Sequence, residues 1–165
     1  MLHCLSADHP SFKTLTFKSG LNIVLATRAD DGKEKRKSAG ELRSRNGAGK
    51  SSVINLIHFL LGGKAEGALT SPILAEWNFT LDVDVGIERL EVTRSVANAK
   101  QVSILSPRFG IKNIQNAQWC KTLGEEWFKL REKRGNGDVT YRQLINYFLR
   151  RKRDGGFDNP TTTFR

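Results

Sequence analysis

A glycine-rich segment with one lysine and two serines contains the residue types best suited to chemistry. Residues 44–52 read S-R-N-G-A-G-K-S-S and match the phosphate-binding pattern G-x-x-x-x-G-K-[ST] at Gly49, Lys50 and Ser51. Ser44 stands where the first glycine is expected. Gly47 and Gly49 still allow the close backbone approach that a phosphate cradle needs. The pattern predicts a nucleotide site, and the competing interpretation is an ordinary loop with a helix N-cap.

Each residue type in this segment has a definite role in phosphate binding. Backbone N–H groups of the loop and of the following helix would face a phosphate chain, whose negative charge the helix dipole favours. The Lys50 ammonium would reach the β and γ oxygens, and the Ser51 hydroxyl would ligate Mg²⁺. The predicted binding residues are Asn46, Gly47, Ala48, Gly49, Lys50, Ser51 and Ser52.

This mechanism requires a strand before the segment and a helix after it, and the sequence predicts both. Leu21–Ala26 is nearly all apolar, as is typical of a strand buried on both faces. The apolar residues after Lys50 recur at helical spacing and predict a helix over Lys50–Leu61. Gly62 and Gly63 are expected to end that helix as its C-cap.

Further strands are predicted before Leu21–Ala26, whereas the segment after it is predicted to have no regular structure. Met1–Ala7 and the alternating run Ser11–Lys18 predict two further strands. Residues 27–43 are charged, contain glycine and lack apolar periodicity, which predicts a mobile insertion before the phosphate loop. That insertion could be a lid, a contact for DNA or a partner, or a disordered surface excursion.

The second half of the chain predicts strands and then helices. Apolar residues alternate with polar ones in three runs over 77–105, which indicates an antiparallel β-meander with one face solvated or docked against something. Ser106–Asn116 is interpreted as a linker. Two helices are predicted within 117–150, at Ala117–Arg131 and Thr140–Arg150, and 151–165 is interpreted as a loop.

Length and composition narrow the class of protein. The 165 residues correspond to one domain and carry a net charge of +10, which suggests a polyanionic partner, most often nucleic acid, and is equally compatible with a solubilising surface. Cys4 and Cys120 are too few for a disulfide framework or a zinc knuckle. No signal peptide is recognisable, and no apolar run approaches the roughly 20 residues of a membrane span. We therefore expect a soluble, cytoplasmic protein without a membrane partner.

Motifs of the other phosphate-loop classes are missing from the sequence. Neither N-K-x-D nor a following D-x-x-G occurs, which argues against a GTPase. No apolar run ends in the acidic pair that an ATPase uses to hold Mg²⁺ and to polarise water, since Asp82 and Asp84 lie in an alternating strand. The chain is predicted to have a phosphate cradle without a catalytic carboxylate.

The order of strands, N-G-A-G-K-S-S, apolar helix and meander resembles the N-terminal half of SMC/RecN-like, ABC-type coiled-coil ATPases. It is most similar to a bacterial subgroup of uncharacterised ATPases, some of which occur in defence-type gene cassettes. The resemblance is carried by Phe12-Lys13, Gly20-Leu21-Asn22-Ile23-Val24, Asn46-Gly47-Ala48-Gly49-Lys50-Ser51-Ser52 and Thr93-Arg94-Ser95.

The resemblance implies a fold and a function. The fold would be α/β: a P-loop NTPase half-head of the ABC type over 1–165, with a mixed sheet, an antiparallel β-meander and C-terminal helices. ATP and Mg²⁺ would be sandwiched between two heads, so that ATP binding drives a head-to-head homodimer that acts on DNA in repair or phage defence. The C-terminal half of the same ATPase would return after a coiled coil with the signature motif and the acidic pair. The chain alone is not expected to turn over ATP, and no catalytic residue is assigned.

Two single residues bear on this resemblance. Lys13 occupies the place where relatives have a basic residue near the nucleotide. The glutamine that senses the metal in the family has no convincing counterpart, because Gln143 falls within a predicted helix. Two other functions stay open: a P-loop small-molecule kinase with Arg150–Arg153 as its lid, and a basic nucleic-acid-binding module with a non-catalytic phosphate loop.

Overall fold

The computed structural model describes residues 1–24, 50–130 and 140–149. The strands are β1 (Leu2–Ala7), β2 (Leu15–Thr16), β3 (Asn78–Val85), β4 (Glu88–Ser95), β5 (Gln101–Ser106) and β6 (Gly110–Gln115). The helices are α1 (Lys50–Leu60), α2 (Asn116–Phe128) and α3 (Tyr141–Phe148). Two 3₁₀ turns, Gly67–Thr70 and Pro72–Leu74, connect α1 to β3.

The six strands of the described ranges belong to one sheet in the order β2-β1-β3-β4-β5-β6, and every neighbouring pair is antiparallel. The predicted fold, a P-loop NTPase half-head of the ABC type with a mixed sheet, is therefore wrong. That fold needs parallel strands that feed the phosphate loop. Here β3 to β6 follow one another as hairpins, and β1 joins the sheet antiparallel to β3.

The predicted strand at Leu21–Ala26 is also wrong over its described part. Leu21 and Ile23 are 86% and 71% exposed and belong to no strand. The Asn22 side-chain amide donates to the Lys18 carbonyl, and its oxygen accepts from the Lys18 N–H, both at 2.8 Å. A side chain that bonds nearby backbone in this way offers the chain an alternative to a sheet ladder. Residues 25 and 26 lie outside the described residues.

The predicted meander is confirmed and has a fourth strand. β3, β4 and β5 pair within 78–106, with a buried side chain at every second position, apolar in every case except Arg94 and Ser106. The sequence interpretation missed β6, because Gly110 and the nearby Pro107 suggest a linker. Most of β6 is exposed on both faces, so it lacks the apolar alternation by which a strand is recognised.

One face of the sheet is covered by the helices and the other is open. Buried side chains of β3, β4 and β5 form a single core with the apolar residues of α1, α2 and α3. On the open face Arg89 bonds Asp82, and His3 bonds Asp84 at 2.7 Å. The hydrogen bond from His3 is the main cause that lowers the pKa of Asp84 below its ordinary value. These two carboxylates therefore act in surface ion pairs.

Both predicted C-terminal helices are present as α2 and α3. Thr140 opens α3 with a capping box: its hydroxyl accepts from the Gln143 N–H, and its own N–H donates to the Gln143 side chain at 2.7 Å. The Gln143 side chain thus caps the N-terminal end of α3. The predicted charged insertion at 27–43, the lid Arg150–Arg153 and the loop 151–165 lie outside the described residues. Within the described ranges no helix is long and apolar enough to cross a membrane.

Candidate functional site

The helix predicted over Lys50–Leu61 is present as α1 over Lys50–Leu60, and the residues before Lys50 lie outside the described ones. Ser51 is exposed and Ser52 is half-buried, so the first turn lies at the surface. The remaining predicted binding residues, Asn46 to Gly49, lie outside the described residues. The described part of the predicted site is therefore this first turn.

The first turn of α1 is electrostatically suited to an anion. The first four N–H groups of any α-helix have no partner within the helix, and they sit at the positive end of its dipole. No acidic residue occurs in the first turn of α1 to satisfy those groups or to repel a phosphate. The Ser51 hydroxyl is exposed there and could supply one oxygen ligand to Mg²⁺.

The residues of α1 become more buried towards its C-terminal end. Its first turn is exposed or half-buried, whereas every residue from Leu56 to Leu61 is buried in the core. Phe59 and Leu60 are completely buried and pack beneath the sheet. The C-terminal half of the helix is thus fixed in the core, while its N-terminal end is presented to solvent.

The C-terminal end of α1 is closed by a Schellman motif. Gly62 has φ +94°, in the left-handed region that glycine enters without strain. Its N–H donates to the Phe59 carbonyl at 3.0 Å, and the Gly63 N–H donates to the His58 carbonyl at 2.9 Å. The predicted glycine C-cap is confirmed.

Aromatic side chains from α2 and α3 reach the next two carbonyl groups of this helix end. The Trp119 indole Nε1 donates to the Leu60 carbonyl at 3.0 Å. The Tyr141 hydroxyl donates to the Leu61 carbonyl at 2.8 Å. Both donors are buried, so these bonds are shielded from competing water.

Arg94 of β4 completes the contacts at this helix end. Its guanidinium donates to the carbonyls of Phe59, Gly63 and Ala99, and it lies 4.1 Å from the centre of the Phe59 ring. No carboxylate pairs with it among the described residues, so the carbonyl dipoles at the negative end of α1 balance its charge. Burial lowers the pKa of Arg94 to about 10, which leaves it charged at neutral pH.

These side-chain donors form one unit. The Asn116 amide at the start of α2 donates to the Gly62 carbonyl at 2.9 Å. We call the set of four side chains that donate to the C-terminal carbonyls of α1 the carbonyl clamp: Arg94, Asn116, Trp119 and Tyr141.

Lys13, the predicted basic residue near the nucleotide, lies in the exposed segment between β1 and β2. No hydrogen bond or ion pair joins it to α1 in the part of the chain that the structure describes. Lys50, Ser51 and Ser52 are brought together by the helix itself, whereas Lys13 is not brought to them by any described contact.

The carbonyl clamp was not predicted from the sequence as a functional unit. One signal was present: Arg94 follows Leu90 and Val92 on the apolar side of an alternating strand, where a charge requires partners. The partners are backbone carbonyls, which have no sequence signature. The tertiary arrangement was needed to find them.

Comparisons with models of known protein families, with characterised proteins and with solved structures found no match for this chain.

Proposed function

We propose that this chain binds Mg²⁺-ATP at the first turn of α1 and serves as the ATP-binding half of an SMC/RecN-like ATPase. One observation carries the proposal: helix α1 over Lys50–Leu60 continues the glycine-rich segment, and its first turn has an exposed Ser51, a half-buried Ser52 and no acidic residue. In this assignment the backbone N–H groups contact the phosphates and Lys50 contacts the β and γ oxygens. Ser51 supplies a ligand to Mg²⁺.

A second half is proposed because the chain lacks part of an ATPase site. No apolar run in the sequence ends in an acidic pair, so the carboxylates for Mg²⁺ and water must come from elsewhere. Upstream of the phosphate loop, Leu21, Ile23 and Val24 form a short exposed apolar run, which is typical of a contact surface. We assign that contact to the C-terminal half of the same ATPase, with ATP joining two heads.

DNA is the proposed substrate of the assembled protein, and the cytoplasm is its proposed compartment. The net charge of +10 supports a polyanionic partner. If the whole chain acts through nucleotide-driven dimerisation, ATP should tighten DNA binding. A basic module with an inert loop would instead bind DNA with a salt dependence that ATP does not change.

The test is the affinity of the purified chain for a fluorescent ATP analogue with Mg²⁺. We expect Lys50→Ala to weaken binding at least about tenfold, since the mutation removes a charge-assisted contact to phosphate. Lys64→Ala is the matched control, because Lys64 is exposed beyond the far end of the same helix. Equal losses in both variants, or no binding by the wild type, would contradict the proposal. Rapid ATP hydrolysis by the chain alone would contradict the need for a second half.

A further inference from the structure

Helix α1 is 11 residues long, so a shift at its C-terminal end also moves its first turn. We propose that the carbonyl clamp positions the first turn of α1 for phosphate binding, so that Arg94, Asn116, Trp119 and Tyr141 are positioning residues of the nucleotide site. This inference rests on the proposed function, and it adds residues that lie at the opposite end of the helix from the phosphates.

The clamp does more than end the helix. The Schellman motif already stops α1 and satisfies the His58 carbonyl. The clamp adds a second donor to the Phe59 carbonyl and supplies donors to the carbonyls from Leu60 to Gly63. Those donors come from three separate elements: β4, α2 and α3. Supports from three directions fix both the tilt of the helix and its rotation about its own axis.

The clamp residues are themselves rigid. Trp119, Arg94 and Tyr141 are 0%, 2% and 6% exposed. Side chains this deeply buried are close-packed and held in single rotamers. Burial also raises the pKa of Tyr141, which keeps its hydroxyl protonated as a donor. The donors therefore persist throughout the physiological pH range.

Because α1 is long, a small change in its tilt at the carbonyl clamp moves its first turn by a larger distance. A helix of this size is about 16 Å long at about 1.5 Å per residue. A tilt of about 10° at its C-terminal end would move the first turn by about 3 Å, which is the length of a hydrogen bond. Misplacement of even about 1 Å is enough to impair a binding or catalytic contact.

Helix α3 contacts α1 at a second point. The His58 Nε2 and the Asn146 Oδ1 lie 2.9 Å apart, and Asn146 comes five residues after Tyr141, which contacts the Leu61 carbonyl. Helix α3 therefore contacts the C-terminal part of α1 and the residue after it at two points. Removing the Tyr141 hydroxyl should therefore loosen one contact without detaching α3.

The experiment compares Tyr141→Phe with Tyr147→Phe on the same helix. Tyr141→Phe removes only the hydroxyl that holds the Leu61 carbonyl, whereas the Tyr147 side chain is 65% exposed. The first measurement needs no nucleotide: the ¹⁵N–¹H chemical shifts of Ser51 and Ser52, and amide exchange of residues 54–56. The second is the affinity for Mg²⁺-ATP at a temperature where each variant is fully folded.

We expect Tyr141→Phe to move the first-turn chemical shifts, to speed exchange about fivefold and to weaken ATP binding about fivefold. Tyr147→Phe should change none of these. Trp119→Phe and Trp127→Phe provide a second pair, because the Trp127 indole donates to the Asp84 carbonyl in β3 instead of to α1. Trp119→Phe should act like Tyr141→Phe, and Trp127→Phe should not.

The outcomes separate this inference from the proposed function. A lower melting temperature in Tyr141→Phe with unchanged first-turn shifts and unchanged ATP affinity would make the clamp merely structural and overturn the inference. If wild-type protein binds no ATP, the proposed function fails and the inference fails with it. If wild-type protein binds ATP and Tyr141→Phe binds it equally well, the inference alone fails.

Discussion

The two ends of α1 differ in how their unpaired backbone groups are treated. At the C-terminal end each carbonyl from Phe59 to Gly63 has a donor from within the chain. At the N-terminal end the first turn is exposed and has no acidic residue. Helices leave polar groups unsatisfied at both ends, so the contrast is between an end held by the protein and the end at which we propose that phosphate binds.

The strongest test of the fixed end is Arg94→Met. Methionine fills a similar volume but leaves the carbonyls of Phe59, Gly63 and Ala99 without this donor. Relief of the buried charge offsets part of that loss. We expect the free energy of unfolding to fall by about 3 kcal/mol, because the part-buried carbonyls of Gly63 and Ala99 lose hydrogen bonds to a charged group, worth about 1.5–3 kcal/mol each, whereas the Phe59 carbonyl keeps the Gly62 N–H.

Chemical denaturation measures this loss, with Arg108→Met as the control. Arg108 is 81% exposed on the β5–β6 turn, where a weak ion pair with Glu88 contributes little. Its replacement should change stability by less than about 0.5 kcal/mol. A loss for Arg94→Met no larger than that of the control would show that α1 is held by apolar packing alone.

A second test breaks the Schellman motif with Gly62→Ala. The substitution strains a backbone with φ +94° and places a Cβ against the Cys120 sulfur. We expect a loss of about 2 kcal/mol, made up of strain and overlap. Gly110→Ala is the control, since Gly110 has φ +69° but open space around it. It should show the strain alone, about 1 kcal/mol.

The double variant Gly62→Ala with Cys120→Ala isolates the overlap. If the overlap is real, the double variant should be more stable than the sum of the two single losses implies. Strict additivity of the losses would show that the end of α1 shifts freely to accept a Cβ. The carbonyl clamp would then be looser than its hydrogen bonds indicate.

The same contrast explains which parts of the structure the sequence could predict. The presence of α1, its glycine C-cap and the meander were all predicted, because apolar periodicity and glycine chemistry act over a few residues. The clamp could not be predicted in the same way. Arg94 and Tyr141 lie 35 and 80 residues from the carbonyls they hold, and a backbone carbonyl carries no residue identity.

The errors in the fold prediction have a related cause. An apolar run such as Leu21–Ala26 becomes a central strand only if partners lie on both sides of it, and the described sheet instead ends nearby at the short strand β2. Strand β6 was missed for the opposite reason: it pairs with β5, but most of its side chains are exposed. Pairing direction depends on partners, and a mixed sheet could not be told from an antiparallel one by alternation alone.

Ser51→Asp has the smallest expected effect on stability and tests phosphate binding at the N-terminal end of α1. Ser51→Asp adds a carboxylate to the first turn of α1, where it interacts favourably with the helix dipole. We expect stability to rise by about 0.5 kcal/mol. The same carboxylate occupies the groups proposed for phosphate and repels it, so ATP affinity should fall below detection.

Gln118→Asp is the matched control for Ser51→Asp, which should raise stability and abolish ATP binding. Gln118 is exposed in the first turn of α2, which also contains no acidic residue. Its replacement should give a similar gain in stability by the same dipole argument and leave ATP binding unchanged. If Ser51→Asp were stabilising and still bound ATP, the phosphates would have to bind elsewhere. The open end of α1 would then be an ordinary exposed helix terminus, and its contrast with the clamped end would carry no functional meaning.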